Sequence, residues 1–160
     1  MALAKQKPPT ASPEEAINLD DFLCFAIYSA NLAVNRLNKP VLDELGLTYL
    51  QYIVLVVLYE QNDQTVGGLG DKLFLDSSTL TPLLKRMEAV GHLTRQRDPE
   101  DERQVRVRLT PQGRSVREKG MMSRSSLLNS TNFSPTEYEQ LREQMVKLRT
   151  YLSDAMREKP

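Results

Sequence analysis

Two groups of side chains in this sequence could do chemistry: a lone thiol and a gathered set of cations. Cys24 is the only cysteine among 160 residues, and His92 is the only histidine. A thiolate attacks peroxide and disulfide bonds, but it needs hydrogen-bond donors or positive charge to persist at neutral pH. One cysteine excludes an intrachain disulfide. With one histidine beside it, a finger-type zinc site within one chain is excluded as well. Cys24 lies among Phe22, Leu23, Phe25 and Ile27, a setting in which cysteine ordinarily serves as a small inert hydrophobe. Tyr28 is four residues on, which places it on the same helical face.

The cations gather in one stretch. From Lys85 to Arg117 there are nine, against five anions, so this segment is net +4. The whole chain is formally neutral, with 21 basic and 21 acidic residues, so the remainder is net −4. A neutral protein with its positive charge collected on one helix and one hairpin fits a phosphate-binding face. Candidate contacts there are Ser77, Ser78, Thr79, Thr81, Lys85 and Arg86 on the helix, with Arg95, Arg97, Arg103 and Arg106 on the hairpin. Small hydroxyls at a helix start can approach phosphates and base edges, where the helix dipole also favours negative charge. Asp76 or Ser77 can cap this helix. Arg103 has two open readings: insertion into a minor groove, or a salt bridge to Asp98 or Asp101 that braces the hairpin.

These residues need elements to position them. The length suits one domain, and 40% hydrophobic with 26% charged residues is a globular balance. The longest apolar run, Ile53 to Leu58, is far below the ~18 residues of a membrane span. The start lacks a signal-peptide pattern, so a cytoplasmic protein is expected. No Walker loop, GxGxxG or GxSxG occurs. No enzyme activity, cofactor or metal is expected.

Residues 1–11 read as a mobile arm, followed by one domain over 12–160. Ser12-Pro13-Glu14-Glu15 fits a capping box, with Asn18 or Asp20 as rival caps. Apolar residues from Leu19 to Leu37 recur at helical spacing, predicting a long helix that ends before Pro40. A separate short helix is expected over 40–44. Thr48-Tyr49-Leu50-Gln51 opens a central buried helix through Tyr59. Asn62-Asp63-Gln64 reads as a turn. A short helix at 66–72, a turn at 73–76 and a helix at 77–90 form a helix-turn-helix. Val105, Val107 and Leu109 alternate with Arg106 and Arg108, which predicts a two-stranded hairpin over 92–109. Helices follow at about 111–129 and from Ser134 onward, the last with the narrow apolar seam of a partner-seeking helix.

This order is that of a winged helix-turn-helix, mostly α with a small β-hairpin (α+β). The helix-turn-helix is 66–90 and the wing is 92–109. The helices at 13–37 and 111–157 would form a homodimer interface.

The run LFLDSSTLTPLLKRMEAVGHLTRQRDPEDERQVRVRLTPQG (73–113) resembles the MarR family of winged-helix regulators. Asp98 and Asp101-Glu102-Arg103, followed by LTxxG at Leu109 to Gly113, carry the likeness. The resemblance implies a homodimer on a pseudo-palindromic double-stranded DNA operator, acting as a repressor. LDDFLCFAIYSAN and NKPVLDELGLTYLQY further resemble the organic-hydroperoxide-sensing (OhrR-like) branch. In that branch a cysteine early in the first helix senses peroxide, and the position falls on Cys24. Supporting tyrosines fall on Tyr28 and, from the partner subunit, Tyr49. Asn38 stands where the branch has another tyrosine. Oxidation would give a sulfenic acid. With no second cysteine, that acid would pass to a low-molecular-weight thiol, a backbone sulfenamide or overoxidation. The rival readings are a MarR-type regulator released by a phenolic ligand, a thiol peroxidase and a protein-binding winged helix.

Overall fold

In a computed structural model, the chain is described over residues 18–120 and 128–157. The expected arm at 1–11, the Ser12–Glu15 capping box and parts of both dimerisation stretches lie outside those residues. The chain separates between Arg36 and Leu37 into two units.

The first unit contains a 3-10 turn at Leu19–Asp21 and the start of α1 (Leu23–Glu44). The Asn18 side chain caps the turn by accepting from the Asp20 N–H at 3.2 Å. Phe22 then adopts extended backbone, so α1 begins at Leu23, inside the stretch 13–37 expected to be helical.

α1 also departs from expectation at its other end. It runs through Pro40 to Glu44 instead of stopping and restarting. Proline has no N–H, so the Arg36 carbonyl loses its usual donor four residues on. One turn later an exposed Lys39–Asp43 ion pair at 2.6 Å spans the surface. Gly46, at φ +66°, turns the chain off the helix, and the Leu47 N–H donates back to the Leu42 carbonyl at 2.9 Å.

The second unit holds the core. α2 (Tyr49–Glu60) opens on a complete capping box. The Thr48 N–H donates to Gln51 Oε1 at 2.8 Å, and the Gln51 N–H donates to Thr48 Oγ1 at 3.3 Å. Its continuous apolar run places Val54, Leu55 and Leu58 at zero exposure. α3 (Val66–Leu73) is capped by Thr65, and α4 (Ser77–Ala89) by Asp76. Leu69, Leu80, Leu84 and Met87 from these helices close over α2, and each is fully buried. Burying a side chain of that size removes about 1.5–3 kcal/mol of unfavourable hydration.

The sheet has three strands in the order β1-β3-β2, all antiparallel: β1 (Gln64–Thr65), β2 (Leu93–Arg97) and β3 (Val105–Leu109). β2 and β3 are the expected hairpin, with Leu93 opposite Leu109 and Arg97 opposite Val105. β1 was not expected. It adds the last residue of the anticipated turn, Gln64, and the Thr65 cap to the free edge of β3, with Gln64 opposite Val107. Leu93, Val107 and Leu109 share the inner face and are buried. Arg106 and Arg108 therefore lie on the outer face.

α5 (Pro111–Lys119) stops at a Gly120 cap instead of reaching residue 129. α6 (Pro135–Arg157) opens with Ser134 and Glu137 exchanging hydrogen bonds, and it buries no residue within the chain. Among the described residues, no single helix is long and apolar enough to cross a membrane.

Candidate nucleic-acid interface and thiol

The start of α4 is organised by one carboxylate. Asp76 Oδ1 accepts from the Thr79 N–H at 2.8 Å and from the Ser78 hydroxyl. These bonds hold its carboxyl below the usual carboxylate range. Asp76 is the cap, and Ser77, Ser78 and Thr79 stand exposed on the first turn. Lys85 and Arg86 are exposed two turns further on.

A groove of about 440 Å³ runs between α4, the start of α3 and the wing. Ser77 and Thr81 line one side, and Arg95, Arg103 and Gln104 line the other. Helix and wing thus place four of the sequence-expected contacts along one cleft. Arg95 faces α4 because it pairs with Val107 on the inner side of the sheet. Glu88 holds it there. Arg95 Nε and Nη2 donate to Glu88 Oε2 at 2.9 and 2.8 Å, and the Arg95 backbone N–H donates to Oε1 at 2.9 Å. The pairing lowers the Glu88 pKa. Sequence reasoning missed Glu88, since its partner lies seven residues away across a helix end and a turn.

The wing tip is self-braced. Asp98 Oδ1 accepts from the Glu100 N–H at 2.9 Å, and the Asp98 N–H donates to the Gln104 carbonyl at 3.0 Å. Arg103 pairs with Asp101 at 3.0 Å while its side chain stays 91% exposed. The brace therefore leaves the guanidinium in solvent, and both readings of Arg103 are compatible with its position. Arg97 is exposed and donates weakly to the Glu102 carbonyl at 3.4 Å.

Arg106 is placed differently from the other expected contacts. Nε donates to Asp63 Oδ1 at 2.7 Å, Nη2 to the Asp63 carbonyl at 2.8 Å, and Nη1 to Asp98 Oδ2 at 3.0 Å. Arg108 reaches the same Asp63 carboxylate at 3.0 Å. Both arginines hold the Asp63 carboxyl below its ordinary range, and the Glu100 N–H and Arg106 do the same for Asp98. Asp63 was absent from the sequence-expected site because its role depends on β1 joining the sheet.

The thiol side of the chain is also placed. Cys24 is the second residue of α1 and is exposed on the single chain, not enclosed by the apolar residues around it. Tyr28 is 58% exposed one turn later, and its ring lies 6.4 Å from that of Phe25. Tyr49, in the other unit, is the first residue of α2 and half-buried. Burial, with the neighbouring Tyr138 and Tyr52 phenols, raises its pKa and keeps it a neutral donor.

A helix-turn-helix with a wing, cations flanking one cleft and hydroxyls at the start of the second helix define a winged-helix DNA-binding protein. Transcriptional regulators of the SarA/Rot type match residues 36–119. The organic hydroperoxide resistance transcriptional regulator of Bacillus subtilis (strain 168) is 39% identical over 82% of this chain and 90% of its own length. The regulator TtmR of Methylorubrum extorquens (strain PA1) is 52% identical over 64% of this chain, which spans 52% of that protein. Among solved structures, reduced AbfR bound to DNA matches with TM-score 0.74 at 33% identity, covering 86% of this chain and 94% of that one. Overoxidised AbfR bound to DNA matches with TM-score 0.69 at 33% identity, covering 84% and 94%. AbfR is a protein of Staphylococcus epidermidis. The chain belongs to the MarR/SarA family of winged-helix transcriptional regulators, and it is a DNA-binding regulator.

Proposed function

We propose that this regulator is a homodimeric repressor whose operator affinity is switched off when an organic hydroperoxide oxidises Cys24. The observation that carries this reading is the exposed thiol of Cys24, the only cysteine, near the start of α1 with Tyr28 one turn away. Its similarity to the Bacillus hydroperoxide resistance regulator and to AbfR in reduced and overoxidised forms supports it.

The chemistry is a two-electron transfer. The thiolate sulfur attacks the distal peroxide oxygen, an S–O bond forms, and the O–O bond breaks. The alkoxide leaves and takes a proton to become the alcohol, and the sulfur is left as sulfenic acid. A low-molecular-weight thiol then condenses with the sulfenic acid, releasing water and leaving a mixed disulfide. The protein acts as a switch, consuming one peroxide per site, and not as a peroxidase.

Dimer formation gives the switch its leverage. Leu23, Ile27, Leu141, Met145 and Leu152 are exposed on single-chain helices, and a second copy would cover such stripes. An adduct at Cys24 then disturbs the packing of α1 at that seam and shifts the two winged domains away from the spacing that fits one DNA turn. A tenfold loss of affinity needs only about 1.4 kcal/mol of differential stability.

The test is fluorescence anisotropy on the upstream intergenic DNA, with and without cumene hydroperoxide, for wild type and Cys24→Ser. Peroxide should release wild type, dithiothreitol should restore it, and Cys24→Ser should stay bound. Equal release of both proteins, or of neither, would overturn the thiol switch.

A further inference from the structure

We propose that Asp63 is a positioning residue for DNA binding, and that the relay Asp63–Arg106–Asp98 sets the angle of the wing without touching DNA. This rests on the DNA-binding class of the chain and is independent of the thiol switch.

The relay begins at an unusual backbone position. Asp63 sits at φ +62°, a left-handed conformation uncommon outside glycine, although Asp and Asn tolerate it best. That conformation lets one residue grip one guanidinium twice. Its carboxylate accepts from Arg106 Nε, and its own carbonyl accepts from Nη2. Nη1, on the remaining side of the guanidinium, reaches Asp98. Asp98 uses its other oxygen to accept from the Glu100 N–H, which closes the turn at the wing tip. A continuous line of hydrogen bonds therefore runs from the α2–β1 turn to the tip that carries Arg103. Asn62 adds a backbone anchor, its Oδ1 accepting from the Leu109 N–H at 2.8 Å.

Arg106 is fully engaged in this relay. Nε, Nη1 and Nη2 all have protein acceptors, and the side chain is 30% exposed. Arg103 is the contrasting case, with a side chain 91% exposed. The two wing arginines thus have different roles. Arg103 faces the solvent, and Arg106 aims the hairpin that presents it.

Sign and salt dependence separate this reading from the alternative that Arg106 contacts phosphate. Asp63→Asn keeps the left-handed backbone and most of the shape but removes the charge. Were Arg106 a phosphate contact, Asp63→Asn would delete an anion near DNA and tighten binding, while Arg106→Gln would lower the salt slope by about 0.9. A positioning relay gives the opposite pattern. Asp63→Asn and Arg106→Gln should each weaken operator binding about fivefold to tenfold, with the slope of log K against log salt unchanged. Arg103→Ala, the control, should lower the slope by about one. The double variant Asp63→Asn/Arg106→Gln should bind no worse than the weaker single, because both cut one relay.

The measurement is anisotropy on operator DNA across a salt series, with thermal melts of every variant and wild type as the binding reference. Should Asp63→Asn melt below the assay temperature, Asp98→Asn cuts the relay at its other end and should show the same loss. Tighter binding by Asp63→Asn, a reduced slope for Arg106→Gln, or lower melting temperature with unchanged affinity would each overturn the proposal.

Discussion

Gly113→Ala should be among the most damaging single-methyl additions in the second unit. Gly113 is the buried third residue of α5, where the helix start passes the beginning of β2. A Cβ there would overlap the His92 carbonyl oxygen and lie 2.9 Å from its carbon and 3.0 Å from Leu109 Cδ1. Ordinary carbon contacts are ~3.5–4.0 Å, so the helix must retreat by about 0.5–1 Å. The same carbonyl accepts from the Thr110 N–H at 3.2 Å, and it shares the Thr110 hydroxyl proton, at 3.1 Å, with the closer Gly91 carbonyl at 2.6 Å. A retreat of that size stretches the N–H bond beyond hydrogen-bonding range. That bond is worth about 1 kcal/mol, and forced overpacking adds roughly 1–3 kcal/mol. The lower entropy of an unfolded alanine returns about 0.4–1 kcal/mol. The net loss is about 2 kcal/mol, or roughly 4–8 °C in melting temperature at this chain length. Differential scanning fluorimetry against wild type reads it. A fall of less than about 2 °C, within the usual effect of a neutral surface change, would refute the close approach of α5 to β2.

Three further outcomes follow from the same geometry. His92 is buried, its Nδ1 lacks a hydrogen-bond partner, and burial lowers its pKa. The folded state therefore favours the neutral ring, while the unfolded chain takes up a proton below about pH 6.5. Melting temperature should fall between pH 7 and 5.5, and His92→Gln should flatten that fall; an equal slope in both would remove His92 as the cause. Leu84→Ala, at a fully buried position on α4, should cost about 2–5 kcal/mol in urea unfolding, and a loss below about 1 kcal/mol would contradict the packing. Glu88→Gln should cost about 1 kcal/mol, discounted because both partners are partly exposed. It should also weaken DNA binding by loosening Arg95, and unchanged anisotropy would count against that.

How far the fold was legible depended on whether an element's cause is local. Thr48-Tyr49-Leu50-Gln51 closes its capping box within four residues, and Val105 to Leu109 alternates on its own, so both could be read directly. β1 could not, because a two-residue strand exists only through its pairing with β3. Pro40 pointed to a helix break, yet α1 continues through it, since one missing N–H costs less than ending a helix whose next turn delivers Leu42 to the core. The candidate interface was readable as a collection of residue types but not as an arrangement. Arginine numbers and positions are plain in the sequence. Which arginines are already held depends on the fold: Arg95 meets Glu88 seven residues away across a helix end, and Arg106 meets Asp63 43 positions away. The Phe74 conformation, left-handed at φ +56° and stacked under Arg149 at 4.3 Å, had no sequence signal either.

The pairing of the wing arginines bears on how this protein searches a genome. Arg95, Arg103, Arg106 and Arg108 each pair with a carboxylate, so the hairpin shows DNA a weaker field than its formal charge suggests. Binding to random sequence depends almost wholly on such charge, through the counterions it displaces. A muted field weakens that sequence-independent attraction, so each stop at a wrong site should be shorter. The carboxylates that stiffen the wing therefore bear on the ratio of operator to bulk-DNA binding, which governs occupancy in a cell filled with competing sites.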